Sequence, residues 1–236
     1  MQSTLGEFKE TASQEAFALQ NSKLLKVSLQ QITIQAKLGS MVAYQGDVKF
    51  ERAGSGGMAR LMKKVATGEG ARLMTVSGTG EVFLADHAQE VHLLKLDNDK
   101  ITVNSPNLLA FDAGIDWDIR KVEGASGVLA GGLFNLELSG SGWVALLSDG
   151  PPMLLQLRDD PAFADPQAAI TWSSGVKTSV KTDVNLKTLI GRGSGESLQM
   201  QFSGDGWLLV QPSEGRLDVG ASASRGGGGL GNLLGG

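Results

Sequence analysis

Cysteine is absent from the 236-residue sequence, which excludes disulfides, thiolate metal ligands and cysteine nucleophiles. Histidine is nearly absent too. His87 and His92 are the only two, and their i, i+5 spacing suits neither a helix face nor one strand face. Both are expected at the surface, and two ligands fall short of a histidine-built metal centre. Basic residues show no excess: 21 Lys+Arg stand against 25 Asp+Glu, a net charge of −4, which argues against a nucleic-acid surface. No segment approaches the roughly 20 apolar residues needed to cross a bilayer as a helix. Met1 to Lys23 carries Glu7, Glu10 and Glu15 and lacks the apolar stretch of a secretory signal. These absences lead to the expectation of a cytoplasmic protein. No serine lies in a nucleophile-elbow context with an evident base, so no catalytic residue is assigned.

Glycine, by contrast, is plentiful. The chain has 33 of them, with 41% apolar residues, enough for a packed core. Two glycines organise a stretch that occurs three times. Leu136-Glu137-Leu138-Ser139-Gly140-Ser141-Gly142-Trp143-Val144 has relatives at Met74 to Val82 and Met200 to Leu208. Their serines, Ser77, Ser139 and Ser203, are 62 and 64 residues apart. Apolar residues alternate on both sides of each Ser-Gly-x-Gly, the pattern of half-buried strands. The motif is expected to be a three-residue hairpin loop, with Gly80, Gly142 and Gly206 at positive φ. A phosphate cradle is the alternative, but such a loop should lead into a helix, and all three copies lead into strands.

A second marker has the same period. Tyr44, Phe111 and Trp172 lie 67 and 61 residues apart, each followed within a few residues by glycine. Two independent markers with one period point to an all-β fold made by internal triplication of antiparallel units. The expected repeats are about 17–84, 85–147 and 148–219, sharing one closed core. Residues 1–16 form a polar segment expected to be poorly ordered, and 220–236 a flexible Gly/Leu tail. A glycine-rich insert separates aromatic from hairpin in each repeat: Gly54 to Gly70, Gly124 to Gly132 and Leu189 to Gly195. The first holds the one predicted helix, near 57–66, where Met58, Leu61, Met62 and Val65 have helical spacing. Arg60, Lys63 and Lys64 give it a basic face, better suited to capping a β core than to anchoring alone on a membrane.

The densest polar cluster is Asp112, Asp116 and Asp118 with Arg120. Asp116 and Asp118 are expected on one strand face, with Trp117 on the other. Hard cations need more oxygen ligands, and the spacing is not that of an EF-hand. A solvated strand face with an Arg–Asp pair is therefore preferred over a metal or acid–base site. Asp97-Asn98-Asp99 lacks the glycine and terminal glutamate of a calcium loop and reads as a turn.

Several motifs together resemble the AIM24 family, also called domain of unknown function 124. They are Asn107-Leu108-Leu109-Ala110-Phe111-Asp112, Asp116-Trp117-Asp118-Ile119-Arg120, Gly131-Gly132-Leu133-Phe134-Asn135, and Gly39 to Gly46. The resemblance extends from about Phe17 to the end. It implies a fold similar to the tryptophan RNA-binding attenuation protein, a β sandwich of the double-stranded β-helix type, and assembly into trimers. It supplies no catalytic residues and no cofactor. The expected function is a non-enzymatic, oligomeric structural or interaction scaffold with a protein or membrane-surface partner. The alternative is a small-ligand or glycan-binding β module using Asp112, Asp116, Trp117, Asp118, Arg120 and Trp172.

Overall fold

Alternating apolar residues form fifteen strands among the described residues of the computed structural model, which are 4–30, 32–52, 73–121, 134–182 and 198–213. In chain order they are β1 (Phe17–Asn21), β2 (Leu24–Gln30), β3 (Ile34–Lys37), β4 (Met41–Arg52), β5 (Leu73–Leu84), β6 (Glu90–Asn104), β7 (Leu108–Asp112) and β8 (Asp116–Lys121). Then follow β9 (Phe134–Ser148), β10 (Met153–Leu157), β11 (Ala162–Ala164), β12 (Ala169–Ser173), β13 (Lys177–Thr182), β14 (Leu198–Ser203) and β15 (Gly206–Val210). The fold is all-β and its pairing is antiparallel. The predicted helix near 57–66, the three inserts and the tail lie outside the described residues.

One pairing scheme occurs three times. β5 is flanked on one edge by β2 and β3, and on the other by β4. β9 is flanked by β6 and by β7 with β8. β14 and β15 are flanked by β11 and β10, and by β13 and β12. The registers agree residue for residue. Lys49, Asp116 and Lys177 face Ser77, Ser139 and Ser203. Tyr44, Phe111 and Trp172 face Val82, Val144 and Leu208. Each aromatic thus faces the residue two positions beyond the second glycine of its Ser-Gly-x-Gly motif.

The hairpin expectation is corrected. β5 and β9 run unbroken through Ser-Gly-x-Gly, and only the third copy divides, into β14 and β15. All six glycines have positive φ, from 105° at Gly204 to 152° at Gly206, so the conformation expected of Gly80, Gly142 and Gly206 is present without a loop. The physical reason lies in the flanking strands. Long partners on both edges hold the ladder across the bend, whereas a hairpin would fold the strand back on itself and forfeit those hydrogen bonds. A Cβ on Gly80 would lie 2.0 Å from the Gln45 carbonyl oxygen, and one on Gly206 2.1 Å from Ser173 Oγ. At the second glycine of each copy neighbouring atoms come too close for a side chain, whereas a Cβ on Gly140 would meet nothing nearer than 3.9 Å. Asp97-Asn98-Asp99 is likewise no turn. It is a bulge inside β6, with Asn98 at φ 51° and its N–H donating to Ser141 Oγ at 2.7 Å.

The core differs from the single shared one expected. It falls into three clusters, centred on Val27, Val76 and Val82, on Ile101, Phe111 and Leu138, and on Trp172, Phe202 and Leu208. Neighbours interlock: Leu109 and Ala110 join the first cluster, and Ile170 joins the second. The N-terminal segment is tied down as well. Gln20 Nε2 donates to the Lys9 carbonyl at 2.9 Å, and Thr11 N donates to Gln20 Oε1 at 2.8 Å.

Candidate functional site

The strand breaks beside two of the bends place polar side chains against the second glycine. β7 ends at Asp112, whose Oδ2 accepts the Trp143 N–H at 2.6 Å. At the equivalent position Ser173 Oγ accepts the Trp207 N–H at 3.1 Å. Asp112 thereby serves the bend rather than pointing at Asp116 or Asp118. It fixes the backbone beside Gly142, which has no room for a Cβ within 2.7 Å of that same oxygen.

Asp116, Asp118 and Arg120 share a face of β8, and Trp117 and Ile119 pack on the second core cluster from the other. Arg120 Nη2 donates to Glu137 Oε1 at 3.0 Å, while its Nε stands 4.0 Å from Asp118. Lys100 Nζ reaches the same Glu137 oxygen at 3.2 Å. Glu137 is thus held between two cations. The Arg120 hydrogen bond lowers its pKa most, burial works against that, and Lys100 adds to the lowering. Arg120 is correspondingly raised, chiefly by the Glu137 hydrogen bond. Among the described residues no three His, Cys, Asp or Glu side chains converge to hold a metal. Trp172 is elsewhere, buried in the third cluster with its ring 5.2 Å from Phe202 in an edge-on contact. The six candidate residues are therefore distributed over a bend, a solvated strand face and a core.

Sequence reasoning missed a serine–histidine contact. His92 Nε2 lies 2.7 Å from Ser148 Oγ, across the β6–β9 ladder and 56 residues away. Ser148 is fully buried, and its hydroxyl donates to the Gly150 carbonyl at 2.7 Å. The imidazole therefore donates to Ser148, the reverse of what a general base requires. His92 is half-buried, not superficial, and burial lowers its pKa. The pair braces the end of β9.

Two further buried groups are held by polar partners. Asn107 Nδ2 donates to the Leu147 carbonyl at 2.9 Å and to Gln211 Oε1 at 3.2 Å, bringing the end of the third unit onto the second. Lys26, 5% exposed, pairs with Glu81 at 2.7 Å and donates to the Thr11 carbonyl at 3.1 Å. That Glu81 hydrogen bond raises the lysine pKa most, against the desolvation of its burial.

Exposed apolar side chains lie on several edge strands. β4 is exposed over most of its length, with Met41, Val42 and Tyr44 facing solvent. Met153 and Leu154 of β10 and Phe163 of β11 are also exposed. An open depression of about 390 Å³ lies between the β1–β2 turn and the third unit, with Lys23, Glu90 and Asp149 on its wall. No helix among the described residues is long and apolar enough to cross a membrane.

Antiparallel units of bent strands, with buried polar groups spent on bracing them, define an all-β protein of repeated architecture. The model of the family described as "Mitochondrial biogenesis AIM24" matches residues 17–213, and the chain belongs to that family. Among solved structures it is similar to protein SPYM3_0169 from Streptococcus pyogenes, at 20% identity and a TM-score of 0.67. That likeness covers 83% of this chain and 91% of the other, and shows a common fold. No curated protein matches the chain.

Proposed function

We propose that the chain is a non-catalytic, self-assembling scaffold, built by internal triplication of one bent-strand unit. One observation carries this reading: its polar side chains brace the fold, while its exposed large apolar side chains, Leu5, Phe8 and Leu38 apart, lie on edge strands. Asp112, Ser173, Asn107 and Gln211 each bond a backbone group, and His92 bonds the buried Ser148 hydroxyl. Met41, Val42, Tyr44 and Phe163 lie on strands that have one open edge among the described residues, the usual template for pairing with another chain. Light scattering tests it. A mass that is a multiple of 24.7 kDa is expected, and a strict monomer at all concentrations would refute self-assembly.

A ligand-binding module is the second reading, favoured by the polar depression beside Lys23 and Glu90. A thermal-shift panel of anionic and cationic metabolites separates the two. A blank panel removes this alternative, whereas a stabilisation lost in Glu90→Gln would support it.

A further inference from the structure

Two junctions between units are made inside the chain, and they obey one rule. At the first, Gln35 faces Phe111, flanked by Ile34 opposite Asp112 and Ala36 opposite Ala110. At the second, Thr102 faces Trp172, flanked by Ile101 opposite Ser173 and Val103 opposite Thr171. Gln35 and Thr102 are equivalent positions, since they face Thr75 and Glu137, each two residues before the bend serine. Phe163 faces Gln201 and is the third member of that set. Tyr44 is the third member of the set containing Phe111 and Trp172.

The same rule applied once more sets Phe163 opposite Tyr44, Ala162 opposite Gln45 and Ala164 opposite Ala43. Within the chain that junction is not formed. Among the described residues β11 pairs only with β14, and β4 only with β5. The side chains record the difference. Phe111 and Trp172 are 0% and 3% exposed, while Tyr44 and Phe163 are 49% and 53% exposed.

We propose that β11 of one copy adds to the outer edge of β4 of a second copy in this register, closing Phe163 over Tyr44. The inference rests on the self-assembly reading above. A second copy fits better than an unrelated partner because both halves of the junction are on this chain, and its two realised versions fix the register. The hydrogen-bond phase agrees. Ala113 N donates to the Thr33 carbonyl at 3.0 Å, and Ser174 N to the Lys100 carbonyl at 3.2 Å. Pairs two residues on, Phe111 with Gln35 and Trp172 with Thr102, are then hydrogen-bonded pairs, as Tyr44 with Phe163 would be. The contact is head-to-tail, so copies continue into a ring or a filament.

The absence of native cysteine makes the test direct. Ala43 and Ala164 would form a non-hydrogen-bonded pair, where opposed side chains come closest and a disulfide can bridge. An Ala43→Cys chain mixed with an Ala164→Cys chain and oxidised should give a linked species containing one of each, absent from either variant alone. Tyr44→Lys in both chains should abolish it and reduce the mass to 24.7 kDa. A multimer that gives no mixed disulfide would overturn the junction while leaving self-assembly standing. A bridge formed within a single Ala43→Cys/Ala164→Cys chain would place the junction inside one molecule and overturn the proposal. A native chain that is monomeric would overturn both readings.

Discussion

Glycine at the second place of each bend is required by its neighbours, not only by its φ. A Cβ at Gly80 would lie 2.0 Å from a backbone oxygen that the β4–β5 ladder holds in place. Gly39 also has positive φ, 89°, but a Cβ there meets nothing within 4 Å. The two sites separate strain from collision. Gly39→Ala should cost about 1 kcal/mol, from the left-handed conformation alone. Gly80→Ala should cost about 3 kcal/mol or more, because β4 must also move away. Urea midpoints of the two variants check this, and equal costs would show that the bend has room. At this scale the sequence was informative about conformation and silent about contact. Ser-Gly-x-Gly three times predicts positive φ at Gly142. Nothing local reveals that Asp112, some thirty residues earlier, accepts the next N–H. By sequence spacing alone the same residue groups with Asp116 and Asp118.

Strands were legible wherever apolar residues alternate, and the aromatic and glycine markers matched across units to the residue. Their connections were misread for a physical reason. Alternation, two glycines and alternation again is the pattern of a tight hairpin and equally of a strand bent between two long partners. Only the partners decide, and β2, β3 and β4 lie far from β5 in the chain. The His92–Ser148 brace was hidden in the same way, by a cross-strand register that periodicity does not carry. It has a pH signature. Burial lowers the His92 pKa in the fold below its ordinary 6.5, so the unfolded chain binds the proton first as pH falls. The contribution is complete above 6.5 and is lost as pH falls from there through the lower, folded-state value. His92→Gln should flatten the stability profile across that window, measured by urea unfolding at a series of pH values. An unchanged slope would mean that His92 is solvated in the fold.

The whole molecule is a series of three interlocked units with unlike ends. Among the described residues β4 of the first unit and β11 of the third have one partner each, whereas β7 and β6 of the middle unit also pair with β3 and β12. Composition and spacing do not say which edges stay free. Tyr44, Phe111 and Trp172 look alike in sequence, and only the topology leaves Tyr44 half exposed. Residue-resolved amide exchange at Tyr44 and Phe163, followed over protein concentration, tests the self-assembling scaffold most directly. Slow exchange at both in concentrated solution, becoming fast on dilution, is the predicted result. Fast exchange at both at every concentration would contradict it.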